Sequence, residues 1–205
     1  MTSRMRSCLV LCITGGIACG KSELGRILNG MGFLVCDADR EAHALMKKGT
    51  PVYRQVVEYF GEGILSDDGE IARPILGEIV FKNPADREAL NRLVHPAVQK
   101  TLENWIAEKR KQKKDCAVLV PLLFESGMEK LDWDAIICVS SSEKMVSKRL
   151  EKRGLDPTEI GLRVGSQMPL AEKEQRSNYV ICNDGTLGEL KESARVTVHR
   201  IKAER

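Results

Sequence analysis

The pattern of apolar positions along the chain predicts five β-strands. Short apolar runs rich in β-branched residues occur at Cys8–Ile13, Phe33–Cys36, Cys116–Val120, Ala135–Val139 and Tyr179–Cys182. None of these runs alternates cleanly between apolar and polar positions, which is typical of strands that are buried on both faces of a parallel sheet.

A helix is predicted directly after the first strand, from about Lys21 to Met31. Its apolar residues recur at helical spacing and form one stripe, at Leu24, Ile27, Leu28 and Met31. Strand, glycine-rich loop, helix and strand in this order make a βαβ unit. The sequence therefore predicts an α/β fold of three layers, in which a parallel sheet lies between helices.

The uneven spacing of the predicted strands indicates an insertion. About eighty residues separate the second run from the third, far more than one crossover helix needs. Helices are predicted there from Pro51, over Arg73–Phe81 and from Pro96. We expect residues 1–39 and 115–205 to form the core and 40–114 a helical substrate-binding insertion. The charged segment 149–177 is typical of a mobile lid.

Composition narrows the class of protein. The chain has 205 residues, 42% of them hydrophobic and 30% charged, with a formal net charge of +3. This is globular composition, and the charge bias is too small for a dedicated nucleic-acid or membrane-surface binder. The longest apolar run is too short to span a bilayer. Arg4 and Arg6 ahead of that run faintly resemble a secretory leader, but a phosphate loop explains the same stretch better.

The seven cysteines form no C-x-x-C pair, so the sequence suggests neither a zinc site nor a disulfide framework. Six of them lie in or beside apolar stretches, as small buried hydrophobic residues do. Free buried thiols fit a reducing compartment, and we therefore expect a cytoplasmic protein.

A complete phosphate-binding motif follows the first strand. Residues 15–22 match G-x-x-x-x-G-K-[ST] at a strand-to-helix turn. Backbone N–H groups of such a loop surround phosphate oxygens, and the helix N-terminus adds partial positive charge. The predicted nucleotide-binding residues are Gly15, Gly16, Ile17, Ala18, Cys19, Gly20, Lys21 and Ser22. We expect Lys21 to reach the β- and γ-phosphates of ATP and the Ser22 hydroxyl to ligate Mg²⁺.

Other motifs separate the classes of phosphate-loop protein. The D-x-x-G and N-K-x-D strings of a GTPase switch are absent from the sequence. The run nearest to a motor-ATPase pattern is followed by Asn183-Asp184, without the expected Glu. A small-molecule kinase needs instead a carboxylate near the acceptor hydroxyl, an acceptor pocket and arginines that close over the phosphoryl group.

A candidate carboxylate pair ends the second predicted strand, in Asp37-Ala38-Asp39. Strand carboxyl ends face the ligand crevice of such a sheet, and we expect the first two strands to be near neighbours, which puts the pair beside the phosphate loop. One carboxylate can accept the proton of the acceptor hydroxyl while the other orients Mg²⁺-bound water or holds the first in place. Alternatively, Asp39 is an ordinary N-cap of the helical run Glu41–Lys47.

Basic residues crowd the predicted lid, at Lys148, Arg149, Lys152, Arg153 and Arg163. Arg149 and Arg153 are spaced to share one helix face, where guanidinium groups suit the oxygens of a transferring phosphoryl group; a solvated face is the alternative. His95, just before Pro96, either caps a helix or contacts substrate. We interpret the basic run Lys109–Lys114 as a solvated helix end.

Together these residues resemble one family, the bacterial-type dephospho-CoA kinases, over about Leu9 to Leu190. The motifs that carry the resemblance are the phosphate loop, Asp37-Ala38-Asp39, Leu93-Val94-His95-Pro96, Val120–Glu125, Ser166–Leu170 with Glu172-Lys173, and Tyr179-Val180-Ile181 with Asn183. The resemblance implies transfer of the ATP γ-phosphoryl group to the 3′-hydroxyl of the dephospho-CoA ribose, the last step of coenzyme A synthesis. It also implies a nucleotide-binding core, an inserted helical substrate domain and a lid.

The resemblance further implies residue roles. Asp39 matches the family's proposed base, with Asp37 beside it, and Arg149 and Arg153 match its lid arginines. The acceptor is expected at Arg73, His95, Pro121, Leu123 and Glu125.

We expect a monomer whose partners are ATP, Mg²⁺ and dephospho-CoA, with neither nucleic acid nor membrane. Two alternatives stay open: a kinase for another hydroxyl-bearing metabolite or nucleoside, and a nucleotide-dependent sensor or chaperone without catalysis.

The chain departs from the family pattern at two places. Ala18-Cys19 stands where the family has Gly-Ser, which predicts a thiol beside the phosphates and sensitivity to thiol reagents. Ser177-Asn178 stands where the family has Ala-Asp before the last strand, which removes a carboxylate.

Overall fold

The computed structural model describes residues 8–205, so Arg4, Arg6 and the leader-like start lie outside the described residues. The chain divides into two compact units. The sheet unit comprises the residues up to Asp37 together with Trp105–Arg205. The helical unit is Ala38–Asn104.

The sheet unit is built on one parallel sheet. Its strands are β1, Val10–Gly15; β2, Leu34–Asp37; β3, Cys116–Leu119; β4, Ala135–Ser140; and β5, Tyr179–Cys182. Every neighbouring pair of these strands runs parallel. Each strand begins and ends within two residues of the bounds predicted from its apolar run. The predicted α/β fold with a parallel sheet is confirmed.

The strand order is β2-β3-β1-β4-β5. The prediction that the first two strands are near neighbours is therefore wrong, because β3 lies between them and pairs with both. The reason is burial: every residue of β3 and of β1 is buried, whereas β2 and β5 are partly exposed. A run that is apolar throughout is most stable where strands cover both of its edges and helices cover both of its faces.

Helices follow or connect the strands. Their bounds are α1, Lys21–Gly30; α2, Ala38–Leu45; α3, Pro51–Phe60; α4, Arg73–Lys82; α5, Pro84–Lys111; α6, Glu143–Glu151; α7, Pro157–Gly165; α8, Leu170–Gln175; and α9, Leu187–Ala203. In the sheet unit, α1 and α9 bury apolar side chains such as Leu24, Leu28 and Val198 in one cluster with Ile13 of β1. This packing fixes the start of α1, and with it the loop that precedes the helix.

The helical unit corrects one predicted boundary. The third predicted helix does not begin at Pro96, because α5 begins at Pro84 and Pro96 lies inside it. The Asn83 side chain accepts the N–H of Ala85 at 3.0 Å and so caps the helix twelve residues earlier than predicted. His95 therefore lies within the helix, and the prediction that it caps the helix is wrong. Val94 and Val98 are buried on one stripe that continues through Pro96, which offsets the hydrogen bond that proline cannot make.

Side chains extend the sheet at its amino edge. Asp134 accepts the N–H of Val10 at 2.7 Å, and Asp115 accepts that of Leu9 at 2.8 Å. Asn178 accepts the N–H of Ile136 at 2.7 Å and returns its own N–H to the Ile136 carbonyl. An aspartate offers the same kind of acceptor atom as Asn178, so the structural task of this position survives the departure from the family's Ala-Asp.

Candidate active site

The phosphate loop lies at the carboxyl edge of the sheet, between β1 and α1. Two of its glycines have backbone conformations that L side chains rarely adopt, φ 137° at Gly15 and φ 108° at Gly20. A Cβ at Gly15 would collide with the carbonyl of Val139, and one at Gly20 with the side-chain amide of Asn183. Only glycine fits at either position, and the loop conformation therefore depends on both residues.

Lys21 and Ser22 occupy the first turn of α1. The Lys21 ammonium donates to the carbonyls of Gly15 at 2.9 Å and Gly16 at 2.8 Å, which holds its charge over the loop. Ser22 is exposed beside it. The helix N-terminus carries partial positive charge, so the turn suits an anion such as a phosphate group.

The position of Cys19 in the loop predicts a thiol that faces the phosphates, but its side chain points the other way. Its side chain is completely buried in the apolar cluster of the sheet unit. Burial raises the pKa of its thiol, although Lys21 counteracts part of that effect. The prediction of a reactive thiol beside the phosphates is therefore wrong, because the loop turns this small side chain inward.

Arg149 of α6 contacts the back of the phosphate loop. Its Nη1 lies 3.1 Å from the Ala18 carbonyl and 2.9 Å from the Ser141 hydroxyl, and its Nη2 lies 2.6 Å from the Asn183 carbonyl. Arg153 is exposed and follows the end of α6 at Glu151, so the two arginines do not share one helix face as predicted. The chain turns at Gly154, whose φ is 83°, three residues after the helix ends.

The two predicted carboxylates belong to different elements. Asp37 is the half-buried last residue of β2, at the same carboxyl edge of the sheet as the phosphate loop. Asp39 is exposed in the first turn of α2, which begins at Ala38. The alternative that Asp39 caps a helix at Glu41 is therefore wrong. Asp37 and Asp39 stay the predicted catalytic carboxylates.

The segment after β3 is held by a buried lysine. Lys173 of α8 is completely buried, and its ammonium lies 2.7 Å from the Pro121 carbonyl and 2.8 Å from Glu125. Glu125 also accepts the N–H of Met168 at 3.0 Å. Leu123 is predicted to contact the acceptor, but its side chain is fully buried and packs into the core in this structure. Sequence reasoning listed Lys173 in a motif but gave it no role, since burial of a charged residue has no local signal.

The helical unit contains a pocket of about 660 Å³. Arg73, predicted to bind substrate, lines it together with His43, Lys47 and Glu70. Apolar residues, among them Leu76 of α4, complete the lining. His95 is half-buried in α5 and is not a lining residue. Sequence reasoning missed His43 and Lys47, which come together with Arg73 only when the helices pack.

Within residues 8–205, no group of three or more His, Cys, Asp or Glu side chains could hold a metal ion. No helix in the same part of the chain is long and apolar enough to cross a membrane. Ser22 and Asp37 each offer an oxygen atom, the ligand type that Mg²⁺ prefers, and Mg²⁺ commonly takes only one or two protein ligands beside substrate phosphates. The residues present therefore fit a magnesium ion that arrives with a nucleotide.

The sheet, the glycine loop and the lysine at the start of α1 define a phosphate-loop kinase. The model of the family described as "Dephospho-CoA kinase" matches residues 9–189, and the chain belongs to that family. The chain is 43% identical over 181 residues to a dephospho-CoA kinase of Geobacillus kaustophilus, which covers 87% of this chain and 89% of the relative. A dephospho-CoA kinase of Lactobacillus johnsonii is 41% identical over 180 residues, covering 87% and 90%.

A solved structure agrees with this assignment. The structure of a dephospho-CoA kinase from Campylobacter jejuni is similar with a TM-score of 0.69 at 26% identity, over 95% of this chain and 98% of that chain. The resemblance inferred from the motifs is therefore confirmed at the level of the family.

Proposed function

We propose that this chain transfers the γ-phosphoryl group of ATP to the ribose 3′-hydroxyl of dephospho-coenzyme A, giving coenzyme A and ADP. The observation that carries the proposal is the complete phosphate loop, with Lys21 held over it, in a chain of the dephospho-CoA kinase family. Phosphoryl transfer of this kind needs mainly positioning and stabilisation of charge, which a preorganised loop provides.

ATP binding is assigned to Gly15–Ser22. The loop N–H groups and the N-terminus of α1 bind the phosphate oxygens, and Lys21 neutralises charge on the β- and γ-phosphates. Ser22, assisted by Asp37, would hold Mg²⁺, which supplies charge neutralisation when bound. Arg149 is assigned to the transferring phosphoryl group as a catalytic residue of the lid, and Arg153 to the ATP phosphates. In this structure Arg149 contacts the loop carbonyls of Ala18 and Cys19.

Proton removal is assigned to Asp39. Its carboxylate is exposed and lies two residues after the end of β2, and a carboxylate can accept the proton of the 3′-hydroxyl as the new bond to phosphorus forms. Asp37 holds or orients this group. Both assignments rest on the family resemblance and on the position of the pair in the chain.

Acceptor binding is assigned to the helical unit and to the segment after β3. The 660 Å³ pocket combines Arg73, Lys47 and apolar walls, which suits a ligand with a diphosphate and an extended, weakly polar arm. His95, Pro121 and Glu125 are assigned to the same substrate. We further propose that the protein is cytoplasmic and monomeric; light scattering of the purified protein tests the monomer.

The test is ADP release by the purified chain with Mg-ATP, with and without dephospho-CoA, and with adenosine or pantetheine as alternative acceptors. We expect release that depends on dephospho-CoA and a product with a new 3′-phosphate, identified by phosphorus NMR. Equal or greater turnover with adenosine would replace the proposed acceptor by another one. Nucleotide binding without turnover of any acceptor would contradict the proposed reaction.

A further inference from the structure

Three side chains converge on one carbonyl of the phosphate loop, that of Cys19. The Asn183 Nδ2 lies 2.8 Å from this oxygen, the Ser141 Oγ 3.3 Å and the Arg149 Nη1 3.4 Å. We call Ser141, Arg149 and Asn183 the carbonyl clamp. Ser141 follows β4, Asn183 follows β5 and Arg149 belongs to α6, so elements far apart in sequence meet at a single loop atom.

The carbonyl clamp is itself rigidly held. The Asn183 carbonyl lies 3.0 Å from the Ser141 hydroxyl and 2.6 Å from the Arg149 Nη2, and the Asn183 N–H donates to the Ser140 carbonyl at 2.8 Å. Ser141 is 5% exposed and Asn183 8% exposed. Hydrogen bonds in such a buried network are strong, and each missing partner is costly. Because the Cys19 carbonyl can only accept, the side-chain amide of Asn183 has one orientation, with its nitrogen toward the loop.

The geometry of the peptide bond links the Cys19 carbonyl, which the clamp holds, to the Gly20 N–H on the phosphate side of the loop. The peptide bond between Cys19 and Gly20 is planar and trans, so the Gly20 N–H points opposite to the Cys19 carbonyl. Donors that fix the carbonyl on one side fix the N–H on the other. Gly20 has no side chain where the Asn183 amide packs, so the amide can approach the loop backbone directly.

We propose that Asn183 is a positioning residue for ATP: it holds the Cys19–Gly20 peptide so that the Gly20 N–H is aimed at the nucleotide phosphates. The inference rests on the proposed use of ATP by this loop and adds a residue that contacts no phosphate itself. A preorganised N–H donor strengthens binding because no free energy is needed to orient it when the ligand binds. Loss of that orientation should weaken ATP binding and leave the binding of the acceptor largely unchanged.

The test is a pair of matched substitutions, Asn183→Asp and Asn29→Asp. Asn29 also donates its amide to a backbone carbonyl, that of Phe33 at 3.2 Å, but lies at the exposed end of α1. Asn183→Asp replaces a donor by a carboxylate against the Cys19 carbonyl. We expect the Kd for Mg-ATP, measured calorimetrically on folded protein, to rise about 30-fold, with the KM for dephospho-CoA within about threefold of wild type. Asn29→Asp should leave both constants unchanged.

The outcomes separate the inference from the proposed function. Wild-type Kd for Mg-ATP in folded Asn183→Asp protein, or equal rises in the ATP Kd and the dephospho-CoA KM, would overturn the positioning role alone. No Mg-ATP binding by the wild-type chain would overturn both. If Asn183→Asp fails to fold, Ser141→Ala removes one member of the clamp, with its exposed neighbour Ser142→Ala as control. We then expect a rise of about fivefold in the ATP Kd for Ser141→Ala, and a wild-type value there would overturn the inference.

Discussion

The two edges of the parallel sheet use similar side chains for opposite tasks. At the amino edge, Asp115, Asp134 and Asn178 each precede a strand. Their side chains accept the N–H of Leu9, just before β1, of Val10 in β1 and of Ile136 in β4. At the carboxyl edge, Asp37 ends β2 and Asn183 follows β5, next to the phosphate loop. The first set completes the sheet. In the second, Asn183 contacts the phosphate loop and Asp37 stays a predicted site residue.

The difference follows from which backbone groups each edge leaves unpaired. A parallel sheet presents N–H groups at its amino edge, and these need acceptors such as carboxylates. Its carboxyl edge faces the N-termini of the following helices, which attract anions and ligands. An Asp before a strand is therefore expected to affect stability, and an Asp after a strand to affect activity. Substitutions at each edge test this contrast.

The largest effect is expected for Asp39→Asn, in α2, two residues after the end of β2. The variant keeps its shape but loses the group assigned to accept the 3′-hydroxyl proton, so kcat should fall by about two orders of magnitude or more. The Kd for Mg-ATP and the urea midpoint of unfolding should stay near wild type. The measurements are steady-state ADP release and equilibrium titration with Mg-ATP. Asp67→Asn, an exposed aspartate of the helical unit, is the control and should be neutral. Turnover within threefold of wild type would remove Asp39 from the role of base.

At the amino edge, Asp134→Ala should reduce stability without reducing turnover. The substitution leaves the Val10 N–H without its acceptor and removes ion pairs with Arg110 and Arg205. We expect a loss of about 3 kcal/mol in the free energy of unfolding, measured with urea, and a kcat within about twofold of wild type for folded protein. Asp132→Ala is the matched control, because Asp132 pairs with Arg110 but is 55% exposed. Its effect should stay below about 1 kcal/mol. A large loss of kcat in folded Asp134→Ala protein would contradict the assignment of this edge to stability.

Sequence reasoning located the strands and the phosphate loop because both have local signals. A buried strand is a short apolar run, and the glycines and the lysine of the loop occupy fixed spacings. It did not find that β3 lies between β1 and β2, because sheet order depends on which runs are most completely covered. Pro96 also led to a wrong prediction, because the start of this helix depends on contacts within the fold rather than on a local signal. The local preference of proline for a first turn was overcome by the buried stripe that includes Val94 and Val98.

The site shows the same division. The position of the glycine loop between β1 and α1 could be predicted, and so could the family. The inward direction of Cys19, the burial of Lys173 and the contact of Asn183 with the loop could not, since they depend on contacts over long sequence separations. Asn183 lies 164 residues after the carbonyl that it binds. A motif gives the position of a residue in the sequence, but only the packing of the folded chain shows which atoms its side chain contacts.

A smaller effect is expected at Asn178, where the chain differs from its family. Asn178→Ala removes the acceptor of the Ile136 N–H and should cost about 1–2 kcal/mol in the free energy of unfolding. Asn178→Asp restores the family residue and keeps an acceptor, so its effect should be within about 0.5 kcal/mol of wild type. Thermal and urea unfolding of the two variants provide the measurement. A kcat reduced tenfold or more in folded Asn178→Asp or Asn178→Ala protein would show that the amino edge serves the reaction as well as stability.

The last prediction concerns alkylation of the native thiols, which tests whether the Cys19 side chain points into the core. Cys182 is exposed, and the other six cysteines are buried. Burial raises the pKa of Cys116 and of Cys138 to about 12 and also raises that of Cys19. A thiol with a pKa near 12 is ionised in only about one molecule in ten thousand at pH 8, and the thiolate is the reactive form.

Iodoacetamide at pH 8 should therefore label one site rapidly in the native protein, and Cys182→Ser should abolish that fast phase. Peptide mass spectrometry identifies the modified residue, and labelling in urea provides the total of seven. Added Mg-ATP should not change the rate at Cys19, because the core rather than the nucleotide covers that thiol. Rapid labelling of Cys19 that Mg-ATP suppresses would instead place the thiol on the phosphate side of the loop. It would also weaken the carbonyl clamp, since the Cys19–Gly20 peptide would then have a different orientation.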